Sequence, residues 1–224
     1  MTYRCEYCKK EFVKETSLTL HLCEPKRRAL QQNEPGVRLG FQAYVKFYAT
    51  VSGSARPKTY EDFASSAYYK AFVKFGRYCV DTRAINPGQF MTWLLKTQKK
   101  IDYWCSDKVY TEYLLHYLRL EAVDDALARA IEYSMEWEEK TGHPARDCLR
   151  YGNIHATCYA VVSGRISPWV IYNSESGQKF LSSLDPTQVS MIWPYIDSDV
   201  WQKKFREHAG DQAYAQEILT RAGW

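Results

Sequence analysis

Cys5 and Cys8 stand two residues apart, and twelve residues separate Cys8 from His21. Phe12 and Leu18 lie between, so the segment reads C-x2-C-x3-F-x5-L-x2-H. This spacing leaves the first 24 residues few alternatives. Two thiolates on a tight turn hold one edge of a Zn²⁺ tetrahedron, and a helical His supplies another corner. Phe12 and Leu18 form the small apolar core that a unit of this size needs beside its metal. Cys23 is the candidate for the fourth corner, only two positions after His21. Residues i and i+2 do not share a helix face. Cys23 therefore ligates only if the helix unwinds after His21, and Pro25 favours that by disfavouring a helical Glu24. A water or a residue from the rest of the chain is the alternative.

The segment resembles a zinc finger of the two-Cys, two-His class, except that a Cys stands close behind the first His. The resemblance implies a ββα unit in residues 1–24. It also implies DNA-facing positions at Lys14, Glu15, Ser17 and Thr19. One such finger covers only about three base pairs. The run Lys26, Arg27 and Arg28 just beyond it can contact phosphates. A finger that docks protein, or is purely structural, fits the same residues.

Residues 25–39 (PKRRALQQNEPGVRL) hold two prolines and a glycine and read as a linker. From Gly40 onward the pattern is helical. Thr59 and Asp62 form a capping-box pair. Asn86-Pro87, Ser167-Pro168 and Asp185-Pro186 each place a capping side chain before a proline, which suits the first helical position because its missing N–H would be unpaired there. Ser106-Asp107 and Asp211 are further cap candidates, and Gly142 a helix stop. Val109, Tyr113, Leu114 and Tyr117 recur at helical spacing, as do Val123, Ala126, Leu127, Ala130, Ile131, Met135 and Trp137. Both sets predict core-facing stripes. The run WVIY at 169–172 is the one β-like stretch, and its Ser-Pro start makes a helix equally consistent. The fold expected is all-α, with nine or ten short helices over residues 40–224, divisible into lobes at 40–120 and 121–224.

The 224 residues are 46% apolar and 25% charged, the composition of a folded globular chain. No apolar run reaches the length of a membrane span. The charged start MTYRCEYCKKEF does not read as a signal peptide. The expected location is the cytoplasm, host cytoplasm if the chain is phage-encoded, and seven scattered cysteines argue against a disulfide framework. The net charge of +4 conceals a segregation: residues 41–100 carry ten basic and three acidic side chains, residues 101–144 four and ten. The basic part suits nucleic acid. Within it, YYKAFVKFGRY (68–78) sets Lys70, Lys74 and Arg77 at helical spacing among aromatic rings, and Lys96, Lys99 and Lys100 form a second cluster. Cations neutralise phosphates and rings can stack on unpaired bases. Most of these rings are expected to face a core.

Motifs for chemistry are sparse. The chain has no phosphate loop, dinucleotide fingerprint, G-x-S-x-G elbow or H-E-x-x-H. His143, Cys148, His155 and Cys158 lack a tight C-x-x-C, so the cysteines read as core residues. The expectation is a protein without enzymatic activity.

The helical region resembles the helicase-loading proteins of T-even-type bacteriophages. The resemblance rests on the order and spacing of YYKAFVKFGRYC, INPGQFMTWLLKTQKKIDYWCSD, a long acidic helix and GRISPWVIYNSESGQKFLSSLDPTQVSMIWPYID, over residues 40–210. It implies two helical lobes, binding to forked or single-stranded DNA, and partners in a replicative helicase and a single-strand-binding protein. The N-terminal finger departs from that pattern. The sequence thus supports three readings in order: a DNA-binding replication or recombination accessory protein, a zinc-finger adaptor, and a metal-dependent DNA-processing enzyme.

Overall fold

The computed structural model describes residues 2–52 and 56–224. It divides into two compact units, residues 1–110 and 111–224. The division falls inside a helix ten residues earlier than the lobe boundary expected from the sequence. It also sharpens the charge segregation. The first unit has nineteen basic and ten acidic side chains, net +9, and the second eleven and sixteen, net −5.

In the first unit a two-stranded antiparallel hairpin, β1 (Tyr3–Arg4) and β2 (Glu11–Phe12), pairs Tyr3 with Phe12. The short helix α1 (Glu15–Thr19) follows. Then come α2 (Glu24–Leu30), α3 (Pro35–Ser52), α4 (Tyr60–Ser65), α5 (Tyr69–Asp81) and α6 (Pro87–Lys96). The helix α7 (Asp107–Leu120) leads into the second unit. There follow α8 (Val123–Thr141), α9 (Cys148–Tyr151), α10 (Ile154–Val162), α11 (Pro168–Asn173), α12 (Glu175–Ser182), α13 (Pro186–Ile196), α14 (Ser198–Glu207) and α15 (Ala209–Arg221). The fold is all-α apart from the hairpin, with more and shorter helices than the sequence suggested. Among the described residues no helix is long and apolar enough to cross a membrane.

Local chemistry sets several helix ends. Thr59 and Asp62 close a reciprocal capping box at α4. Asn86, Ser167 and Asp185 each accept a backbone N–H at the starts of α6, α11 and α13. Gly142 ends α8 at φ 72°, a left-handed conformation that costs glycine nothing. Asp211, in contrast, is not a cap: His208 takes that position, and Asp211 lies in the first turn of α15.

Residues 25–39 are not a linker. Pro25 lies in the first turn of α2 and Pro35 begins α3. Both prolines mark helix starts for the same reason as Pro87, the lost N–H having no partner to lose. Helix α3 thus includes Gly36 and Gly40, which a close approach requires. A Cβ on Gly40 would sit 2.7 Å from the Phe72 carbonyl oxygen, and one on Gly76 1.9 Å from that of Gly36. Helices α3 and α5 therefore cross backbone against backbone.

The core of the first unit is aromatic. Trp104, 1% exposed, takes the edges of Phe72 and Phe75 at centroid distances of 5.9 and 5.2 Å. Its indole donates to the Lys99 carbonyl at 2.9 Å. Edge-to-face pairs of this kind add about 0.5–1.5 kcal/mol each beyond area burial. Tyr69, Phe72 and Phe75 of the basic aromatic stretch are all buried, as expected for most of its rings.

In the second unit Trp169 packs on Trp201 and Phe205. The β-like run at 169–172 forms α11, with Trp169, Val170 and Ile171 buried. A short helix buried all round shows no period, so only its Ser-Pro start distinguishes it from a strand. The α8 stripe is narrower than predicted. Val123, Ala126, Leu127 and Ala130 are buried, but Ile131 and Met135 are 41% and 54% exposed.

Candidate metal centre and basic cleft

The ligand atoms of Cys5, Cys8, His21 and Cys23 all lie within 4.8 Å of one another. Among the described residues this is the one such gathering of three or more His, Cys, Asp or Glu. Each element contributes a piece of it. The hairpin turn brings Cys5 and Cys8 together through Lys9 N–H to Cys5 O and Cys5 N–H to Lys10 O, both 2.9 Å, with Lys9 left-handed at φ 61°. Helix α1 ends at Thr19, so His21 is not helical as the spacing suggested. It lies in the passage between α1 and α2, where its N–H still reaches the Leu18 carbonyl at 3.1 Å and a Lys26 ammonium donates to its own carbonyl at 3.2 Å. Cys23 is the residue before α2, with φ −79° and ψ 163°. The helix has unwound before His21 rather than after it. The objection that i and i+2 lie on different helix faces therefore does not arise.

The donor set fits a tetrahedral ion. Zinc–sulfur bonds of about 2.3 Å and zinc–nitrogen bonds of about 2.0 Å imply tetrahedral edges of roughly 3.8 Å (S to S) and 3.5 Å (S to N). Cys5 Sγ and Cys23 Sγ are 3.9 Å apart, and Cys8 Sγ is 3.1 Å from His21 Nε2. The first edge already matches; the second needs to open by a few tenths of an ångström. Backbone N–H groups, first that of Cys8 and then that of Tyr7, face the Cys5 sulfur and lower its pKa to about 7, favouring the thiolate a metal requires. Burial acts the other way on Cys23, raising its thiol. Phe12 lies on the His21 ring at 4.7 Å, the small core that the spacing predicts.

The predicted nucleic-acid contacts separate into groups. Arg27 from α2 and Lys70, Lys74 and Arg77 from α5 line one cleft of about 540 Å³ in the first unit. Glu24, Gln31, Tyr69, Val73, Tyr78, Asp81 and Cys105 complete its walls. The three α5 cations run along about 10 Å of helix face. All four cations are exposed. Arg27 pairs with Glu24, and Arg77 with Glu34 at 3.0 Å.

Arg28 does not belong to the cleft; its guanidinium is spent inside the fold. It donates to the Ala64 carbonyl at 2.6 Å and to Glu24 at 3.1 Å, and lies over the Tyr69 ring at 4.3 Å. Tyr60 donates in turn to the Arg28 carbonyl at 2.5 Å. These contacts dock α2 on α4 and α5. The hydrogen bond from Arg28 also holds the Glu24 carboxyl below its usual range. Lys26 serves the His21 carbonyl. Lys96, Lys99 and Lys100 lie outside the cleft, with Lys99 over the Trp93 ring at 5.6 Å.

The set His143, Cys148, His155 and Cys158 forms no site. Cys148 and Cys158 are buried, and burial pushes the Cys148 thiol up to about 12. His143 stacks on Trp137. The sequence did not signal α2 as a cleft wall, because Pro25 read as a linker residue rather than a helix start.

Comparison with protein-family models, curated proteins and solved structures finds no match to this chain.

Proposed function

We propose that the chain is a nucleic-acid-binding accessory protein with a structural zinc ion at Cys5, Cys8, His21 and Cys23, and without chemistry of its own. The observation that carries this reading is the cleft, where Arg27 and three α5 cations from a distant stretch of sequence converge. Cations on two facing walls suit the backbone of a single strand, whose phosphates can enter between them. The +9 charge of the first unit supports attraction of a polyanion. Three thiolates and one imidazole form a donor set suited to zinc. Such a centre needs reduced thiols, a condition the cytoplasm meets. Forked DNA, a helicase and a single-strand-binding protein remain the partners proposed from the helicase-loader resemblance.

The test is binding of zinc-loaded protein to labelled single-stranded, forked and duplex DNA over a salt series. Four phosphate contacts on a single strand predict a log–log slope near −3. The triple variant Arg27→Gln/Lys70→Gln/Lys74→Gln should flatten it by about 2. Absence of binding at low salt, or an unchanged slope, refutes the reading.

A second reading has one observation in its favour. Val13, Leu20 and Leu22 of the metal module are 82%, 84% and 61% exposed, which suits a module that docks protein rather than one that reads bases. The same titration decides, because an adaptor would show no salt-dependent DNA binding.

A further inference from the structure

Helix α8 has a second apolar face that the fold of its own unit covers only in part. It is 19 residues long, hence about 28 Å. Val123, Ala126, Leu127, Ala130 and Ser134 bury one side. At 100° per residue, Ala128, Ile131 and Met135 fall on another side, more than a quarter turn from the centre of the first. All three are exposed, Ile131 by 41% and Met135 by 54%. Residues 131 and 135 are one helical turn apart, so their side chains form a continuous strip.

Carboxylates flank this strip. Asp125, Glu132 and Glu139 stand along one edge and Glu138 along the other. All four are exposed, and among the described residues none of them has an ion-pair partner. The other acidic groups of α8 differ. Asp124 falls in line with the strip at its N-terminal end, where it meets the Tyr214 hydroxyl, and Glu136 is engaged by Arg165 at 2.8 Å and by Lys140. The unpaired carboxylates are thus the ones that border the apolar strip. Exposed Met and Ile cost solvation free energy, and unpaired carboxylates on one helix repel each other. One kind of occupant relieves both: a segment with apolar side chains one turn apart, bordered by Lys or Arg.

We propose that the Ala128, Ile131 and Met135 face of α8 is a docking surface for a basic amphipathic helix of a partner protein. The apolar strip supplies affinity and the carboxylate border supplies orientation and rate of encounter. Met135 suits such a surface because its thioether chain adapts to the incoming side chain. The surface lies in the second unit, and the proposal is independent of the cleft in the first.

The probe is a labelled amphipathic peptide of about 14 residues, with Leu at i, i+3, i+4 and i+7 and Lys elsewhere. Two controls accompany it: Ser for every Leu at the same charge, and Glu for every Lys. The full-length protein should bind the Leu/Lys peptide and neither control. Affinity should fall about tenfold or more in Ile131→Ser/Met135→Ser, and again in Glu132→Lys/Glu139→Lys. Both pairs are exposed, so melting temperatures should match wild type. The cleft variant Arg27→Gln/Lys70→Gln/Lys74→Gln should bind the peptide as wild type does, which separates this surface from the cleft. Equal binding of the Ser/Lys peptide, unchanged affinity in the variants, or no binding at all overturns the proposal. So does a concentration-dependent dimer in sedimentation that Ile131→Ser/Met135→Ser abolishes, because a second copy would then be the occupant.

Discussion

Gly76→Ala should destabilise the first unit despite improving the helix propensity of α5. In an isolated helix the change would gain about 1 kcal/mol. Here the new Cβ would meet Gly36 O at 1.9 Å and Gly40 N at 2.5 Å, where real contacts do not fall below 3.0 Å. Helices α3 and α5 must separate by about 1 Å, and the obstacle is backbone, which cannot rotate away. Overpacking of this kind costs about 1–3 kcal/mol, and a gap of 0.5–1 Å forfeits a quarter to a half of each dispersion contact along the crossing. The two together come to roughly 3–4 kcal/mol, leaving a net loss of about 2–3 kcal/mol after the propensity gain. Scanning calorimetry should show a fall in Tm of about 5–20 °C, the smaller value if both units unfold together. Gly210→Ala is the control. It is also helical, but a Cβ there meets nothing within 4 Å, so its Tm should hold or rise slightly. An equal or higher Tm for Gly76→Ala would refute the close crossing of α3 and α5.

Three further expectations follow from the same contacts. Chelation of the proposed zinc should raise amide hydrogen exchange in residues 2–23 while α2 to α5 stay protected, because only half-buried Phe12 and Leu18 support the module and Arg28 docks α2 independently; loss of protection across α2 as well would show that the metal holds the cleft. Arg28→Ala should cost about 2–4 kcal/mol in urea unfolding, since it breaks a charge-assisted hydrogen bond and a cation–π contact, whereas half-exposed Arg27→Ala should cost under about 0.5 kcal/mol; equal losses would contradict their different placement. Glu121 is buried, accepting from Arg129 at 2.6 Å and Ser167 at 2.6 Å, and its burial raises its pKa in spite of the guanidinium. Its folded pKa lies above the unfolded one, so its contribution is fully present below about 4.5 and declines as pH rises through the raised value. Wild-type stability relative to Glu121→Gln, whose amide copies the neutral carboxyl, should therefore fall as pH rises in urea unfolding from pH 4 to 8; a rise would mean pairing with Arg129 outweighs burial.

Much of the local structure was readable along the chain. The Thr59, Asn86, Ser167 and Asp185 helix starts and the Gly142 stop all appear where their side chains indicated. The same proline logic, applied to Pro25 and Pro35, would have turned the expected linker into α2 and the start of α3. The grouping of Cys5, Cys8, His21 and Cys23 was also legible, though not the conformation of His21. Lys26, Arg27 and Arg28 looked alike in sequence. The fold gives them three different duties: a tie to the metal loop, a wall of the cleft, and an internal anchor.

Caps and the C-x2-C turn close through groups a few residues apart, so the sequence alone determined them. The cleft depends on segments more than forty residues apart, and only the tertiary structure decided it. Glycines at 36, 40 and 76 let α3 and α5 meet backbone to backbone, and the Arg28 contacts seat α2 beside α5. The exposure of Ile131 and Met135 belongs to the same category. Periodicity says that a side chain is apolar and where it lies around a helix, but whether a neighbour covers it depends on how many other helices pack there.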